Sequence, residues 1–156
     1  EMCIRDSNYL GYIEEAFLAY KTERYNIKGK DVVAGNCKYY LNDLSFKNFL
    51  YPGFAYGVGY LLENAVYLEL RRLGYIVYTG SFRDKEVDFV AMKDDRVIYL
   101  QATYMLETAQ TMEREYAPLL TIGDNYEKYV VSMDEVQFPS NEGVRHIQAW
   151  NLKEIL

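Results

Sequence analysis

Residues 85–104, KEVDFVAMKDDRVIYLQATY, read as two strands around a short polar turn, and they carry side chains able to do chemistry. Side chains alternate faces along a strand, so Glu86 and Asp88 share one face while Lys85, Val87 and Phe89 share the other. Two carboxylates on one face form a hard-oxygen array suited to a cation such as Mg²⁺. Without a bulge, Lys85 points away from them. A third acid, Glu63, lies in YLLENAVYLELRRLG beside Leu62, Val66 and Tyr67, with no cation one helical turn away. Glu69, in contrast, has Arg72 three residues on. A carboxylate against apolar surface needs relief from a metal, a hydrogen-bond donor or a raised pKa. Glu63 is therefore either a ligand, or an acceptor that caps backbone donors or bonds a tyrosine. For Asp88 the alternative is a strand-end acid in solvent, and Gln101 and Thr103 read first as polar residues of a half-buried strand.

Those residues need elements to position them. NYLGYIEEAFLAY sets Leu10, Ile13, Phe17 and Leu18 at helical spacing opposite Glu14 and Glu15. LAYKTERYNI and KYYLND read as two strands, with Gly29, Gly35 and Asn36 as turn residues between them. A helix followed by such a hairpin is the second half of a winged helix, and its basic residues Arg24, Lys28, Lys30 and Lys38 could touch phosphate. YPGFAYGVG is the linker candidate. The helix around Glu63 has its stripe at Leu61, Leu62, Ala65, Val66, Leu70 and Leu73, ends on Arg71 and Arg72, and stops at Gly74. YIVYTG, EVDFVAM and RVIYLQATY are strand-like, ETAQTMEREYAPLL is a helix containing Pro118, EKYVVSM and VRHIQAW are strands, and NLKEIL starts a last helix. The expected fold is α/β, a mixed sheet flanked by helices over 55–156, preceded by a truncated winged helix over 8–50.

Composition narrows the function further. Half of the 156 residues are apolar or aromatic and 26% are charged, enough for a packed core. No apolar run reaches the roughly 20 residues that a membrane span needs. The first seven residues, EMCIRDS, match the translation of a transposon-based sequencing adapter, so residues 1–7 are set aside and the natural chain is expected to extend upstream. That leaves Cys37 as the lone thiol, which fits a reducing, cytoplasmic setting. His146, among alternating apolar residues, reads as a satisfied strand side chain. The net charge is −6, yet residues 8–54 carry six basic and five acidic side chains against ten and sixteen in residues 55–156. Only the first segment could offer the basic face a duplex binder shows.

The order LLENAVYLELRRLGY, EVDFVA, YLQAT resembles the restriction-endonuclease-like (PD-D/E-x-K) superfamily, in which a helical Glu, a strand-end Asp and a Glu-x-Lys pair converge on Mg²⁺. That resemblance puts Glu63 at the helical acid, Asp88 at the strand acid, Gln101 at the second strand acid and Thr103 at the lysine; Glu86, on the same strand face as Asp88, could stand in as an extra acid, making Glu63, Asp88 and Glu86 the candidate metal ligands. Residues 8–156 are also similar to a narrower group, the uncharacterised C-terminal region, a domain of unknown function, that follows an AAA-type ATPase module in many archaeal and bacterial proteins. The match rests on AFLAYKTERYNIKGK, KYYLND, LLENAVYLELRRLGY, KEVDFVA, IYLQATY and REYAPLLTIGDNYEKYVVS. It implies an upstream ATPase in cis; this chain has no G-x-x-x-x-G-K-[ST], so ATP would bind only in that module. A neutral amide at Gln101 is a weaker Mg²⁺ ligand than a carboxylate, and Thr103 carries no charge to offset that building on phosphate. The expectation is a non-catalytic accessory region contacting DNA or a partner protein. The alternatives are a weak Mg²⁺-dependent nuclease and a structural or oligomerising domain for the ATPase.

Overall fold

The computed structural model describes residues 2–50, 52, 53 and 57–156, and the side chains from residue 8 onward. The elements run α1 (Met2–Glu15), β1 (Ala19–Asn26), β2 (Asp31–Leu41), α2 (Ser45–Leu50), α3 (Val58–Arg72), β3 (Ile76–Phe82), β4 (Lys85–Lys93), β5 (Arg96–Ala102), α4 (Ala109–Leu120), β6 (Glu127–Ser132), β7 (Val144–Gln148) and a short 3₁₀ turn at Ala149–Glu154. The strands form a seven-stranded mixed sheet in the order β2-β1-β3-β4-β5-β6-β7. β1 lies parallel to β3, and β5, β6 and β7 are mutually parallel; the β1–β2, β3–β4 and β4–β5 pairs are antiparallel.

Two faces of this sheet are filled by different helices. α3 lays Leu62, Val66, Tyr67 and Leu70 on Val77, Phe89, Ala91, Ile98, Leu100, Tyr129 and Val131. α4 lays Tyr116 and Leu119 on Val87, Val90, Tyr99 and Val130. α3 stops where its charges and glycine require: Gly74 takes φ +87, and the N–H groups of Gly74 and Tyr75 return to Arg71 and Leu70. α4 starts at Thr108, whose hydroxyl accepts the Thr111 N–H at 3.1 Å.

The hairpin assigned from sequence to a winged helix is the edge of this same sheet, because β1 pairs with β3 at Arg24–Thr79, Tyr25–Gly80 and Asn26–Ser81. Its turn is at residues 27–30, where Asn26 Oδ1 accepts the N–H groups of Lys28 and Gly29. Gly35 and Asn36, expected in that turn, belong to β2. There the register jumps from Thr22–Lys38 to Arg24–Val33, two residues on β1 against five on β2. α1 ends at Glu15, so Phe17 and Leu18 of the expected stripe lie beyond the helix, Phe17 at φ +56, and Leu10 and Ile13 within it are exposed; α2 is an element the sequence pattern does not announce. Of the linker candidate, residues 51 and 54–56 lie outside the described residues, while α3 begins at Val58.

One irregularity decides where the acids point. Between Tyr78–Val90 and Gly80–Val87 the register advances two residues on β3 and three on β4, so β4 holds one extra residue at Asp88–Phe89. The expected grouping of Val87 with Phe89 therefore fails: Val87 packs under α4 and Phe89 under α3. Val87 and Val90 both crowd Gly80, where an added Cβ would meet Val90 Cγ2 at 2.9 Å and Ile27 Cδ1 and Val87 Cβ at 3.0 Å. Gly80→Ala should cost about 1–3 kcal/mol of unfolding free energy by overpacking, read as a lower denaturation midpoint in urea at unchanged slope.

Candidate functional site

β4 and β5 pair only from Phe89–Leu100 to Lys93–Arg96. Beyond Phe89 the strands part, β4 staying with β3 and β5 with β6. Side chains bridge the fork in place of backbone: Asp88 Oδ2 accepts the Ala102 N–H at 2.9 Å, and Gln101 Oε1 accepts the Asp88 N–H at 3.3 Å. Gln101 is thus committed to holding the Asp88 backbone. A neutral amide performs that task without adding a charge beside Asp88.

The cation expected to be missing is present, and it comes from β2. Lys38 Nζ lies 3.0 Å from Glu63 Oε1, 2.9 Å from Glu86 Oε1 and 3.6 Å from Asp88 Oδ1. Glu63 Oε1 also accepts the Tyr40 hydroxyl at 2.8 Å, the tyrosine bond left open as an alternative for this acid. Lys38 and Tyr40 share a strand face, so one alternation delivers both donors to one carboxylate. Arg24 Nη2 holds the other oxygen of Glu86 at 2.8 Å. Asn64, next to Glu63, clasps the edge strand: its Oδ1 accepts the Leu41 N–H at 2.8 Å and its Nδ2 donates to the Leu41 carbonyl at 2.9 Å. α3 therefore supplies both the acid and the clamp that fixes the lysine-bearing strand.

The structure brings Glu63, Glu86 and Asp88 together around Lys38. Thr103 is buried, its N–H donates to Val131, and no hydrogen bond joins its side chain to the acids among the described residues. Lys85 does point away, donating to the Ala117 carbonyl of α4 at 3.4 Å. Of the four candidate phosphate-contacting residues of the hairpin, Arg24 and Lys38 put their charge into carboxylates. Lys28 and Lys30 sit at the exposed turn, Lys30 over the Tyr126 ring at 5.9 Å. Among the described residues, no group of three His, Cys, Asp or Glu side chains is spaced to hold a metal ion.

Sequence reading missed a fourth acid. Glu115 is buried in α4, with Arg114 Nη2 2.6 Å from its Oε1. It occupies the apolar stripe with Met112 and Leu119, the same signal that singled out Glu63. The gathered charge shows in Asp88, whose pKa is pushed up to about 7. Burial is the main cause and the Glu63 charge adds to it; the Ala102 N–H and Lys38 oppose the shift, and Glu115 reinforces it. Burial works to lower the Lys38 pKa, but Asp88, Glu63 and the hydrogen bonds to Glu86 and Glu63 hold it well above the ordinary lysine value. A raised carboxyl pKa means that ionising Asp88 weakens the fold as pH climbs from about 4 to about 7. Asp88→Asn should gain on the order of 2 kcal/mol over the native protein at pH 8 and nothing near pH 4, measured by urea unfolding at both pH values.

Beside the acids, a cleft of about 340 Å³ is lined by Lys38, Tyr39, Lys47, Tyr60, Glu63 and Asn64. A larger cavity of about 700 Å³ lies between α4 and residues 138–141, lined by Lys85 and Tyr116, and reaches none of Glu63, Glu86, Asp88 or Lys38.

A second buried cluster has the side chains of a hydrolase triad without its order. Ser132 Oγ lies 2.6 Å from Asp134 Oδ2 and 2.8 Å from His146 Nε2, and His146 Nδ1 accepts the Phe138 N–H at 3.1 Å. With Nδ1 accepting, the imidazole proton sits on Nε2, so the histidine donates to the serine and cannot activate it. The cluster ties residues 134–138 to β7, with the Leu106 N–H held by Asp134 Oδ2 at 2.8 Å. Burial lowers the His146 pKa against a smaller opposing effect of Asp134. Its contribution is therefore present above about pH 6.5 and lost as pH falls. The stability gap between native protein and His146→Gln should narrow between pH 7.5 and pH 5 in thermal melts.

Comparison with known proteins gives two relatives, both uncharacterized. A protein of Haemophilus influenzae is 36% identical over 126 residues, which is 81% of this chain and 31% of that protein. A protein of Methanocaldococcus jannaschii is 32% identical over 112 residues, 69% of this chain and 24% of that protein. The chain thus spans about a third or less of the curated relatives it matches. No family model and no solved structure matches it.

Proposed function

We propose that this chain is the non-catalytic accessory region of a longer, cytoplasmic AAA-type ATP-binding protein, and that it contacts DNA or a partner protein without cutting. The observation that carries this reading is the Lys38 ammonium, seated 2.9–3.6 Å from Glu63, Glu86 and Asp88 at the point where their oxygens converge. The chain itself supplies the cation that those acids need. Mg²⁺ takes oxygens at about 2.0–2.1 Å in near-octahedral order, so the three carboxylates would have to close in and the ammonium leave. The arrangement as it stands does not fit that ion. Gln101, engaged with the Asp88 backbone, supports the same reading.

Attachment to a larger protein is supported by the resemblance to ATPase-linked C-terminal regions and by the relatives, which continue well beyond the match. ATP would be held only by that further module. Cys37, the one cysteine from residue 8 onward, is free and fits a reducing, cytoplasmic setting. For nucleic acid, the contact surface would be the exposed turn of the edge hairpin, where Lys28 and Lys30 carry the charge that could touch phosphate.

The competing reading, a weak Mg²⁺-dependent nuclease, is favoured by two observations: Lys38 places beside the acids the positive charge that Thr103 lacks, and the three clustered acids, with Glu115 near, outnumber Lys38 and Arg24 and leave Asp88 hard to ionise. Metal titration separates the two. Under the accessory reading, native protein shows no specific Mn²⁺ binding in the micromolar range, plasmid and branched DNA stay intact, and Lys38→Met gains Mn²⁺ affinity by at least about tenfold as its acids lose their cation. Native protein that binds Mn²⁺ and cleaves DNA, with loss of both in Glu63→Ala and Asp88→Ala, would establish the nuclease instead.

A further inference from the structure

Most of the exposed large apolar side chains among the described residues come from the first part of the chain. Of the nineteen exposed large hydrophobic side chains among the described residues, thirteen precede residue 61. They include Tyr12 and Phe17 at the end of α1, Phe49 in α2 and Tyr60 at the start of α3; Phe49 is 82% exposed and Tyr60 73%. α2 buries none of its residues. These segments adjoin one another: the Asn42 N–H donates to the Leu18 carbonyl, joining the end of α1 to the lead-in of α2, and Leu44 and Lys47 share a cleft with Tyr60 and Leu61 of α3.

An isolated domain seldom leaves such a surface open, and apolar surface of this extent marks an interaction site. Nucleic acid is a poor occupant for most of it, because the charges nearest the α1 end are Glu14 and Glu15. The relatives point elsewhere: more than two thirds of each lies outside the region this chain matches. An interface between domains of one polypeptide is of the size and mixed character expected here.

We infer that the face built from α1, α2 and the start of α3 is an interdomain interface, covered by an apolar surface of the longer polypeptide to which this chain belongs. This rests on the proposed function only for the existence of that longer polypeptide. It adds that the acid cluster, whose cleft opens beside Tyr60, lies at the border of the interface, so docking there bears directly on access to Lys38.

Hydrogen exchange on the 156-residue chain and on the full polypeptide of its gene tests the inference. Amides of residues 9–18 and 45–50 should exchange at least about tenfold more slowly in the full polypeptide, with β4 to β6 unchanged. Phe49→Ser should leave the thermal midpoint of the short chain unaltered and abolish the protection in the long one. Equal exchange in both forms overturns the inference while leaving the longer protein in place. A gene that encodes nothing further overturns the inference and the proposed attachment together. A short chain that sediments as a dimer, made monomeric by Phe49→Ser, overturns the inference in favour of a second copy.

Discussion

An ammonium held among three carboxylates is the interaction around which the site is arranged. Like charges collected at the end of a sheet repel one another, and in a half-buried setting water screens them poorly. Lys38 answers that repulsion from a different part of the chain, which makes the edge hairpin essential to the site. The same contact explains the paired donors on Glu63, the arginine on the far oxygen of Glu86, and the Asn64 clamp that keeps β2 in place. Removing one member of a buried pair costs more than the pair contributes, because the remaining charges are stranded.

The backbone prepares the place for this cluster. Where β4 and β5 part, the ladder hydrogen bonds that would have linked them are replaced by the side chains of Asp88 and Gln101. The extra residue in β4 lets Phe89 enter the core under α3 while Val87 stays under α4. Gly80 makes room for this on the neighbouring strand. The bulge is held from both faces, by Phe89 in the core under α3 and by Val87 in the core under α4.

Several parts of this arrangement were legible in the chain. The α3 helix and the strands from β3 to β7 follow from hydrophobic period and turn residues, and Glu63, Glu86 and Asp88 stood out as acids in apolar company. Lys38 did not, because K-x-Y in a strand says only that Lys38 and Tyr40 share a face, and the same lysine on a free hairpin would face water. From sequence the hairpin reads as part of a separate module, because its pairing with β3 joins residues more than fifty positions apart. Glu115 carried the same signal as Glu63 and was passed over. Of the stripe Leu10, Ile13, Phe17 and Leu18, only the first two lie in α1, because the chain turns at Ala16–Phe17, and the pattern does not say which surface covers them.

The sequence alone determined the local elements and the inventory of charge, because hydrophobic period, capping and side-chain ionisation act over a few residues. Tertiary structure alone decided that a lysine from the first hairpin answers acids from α3 and β4, and that a glutamine substitutes for backbone between parting strands. Those outcomes depend on register and bulges, which the packing of both sheet faces sets together and no single segment encodes.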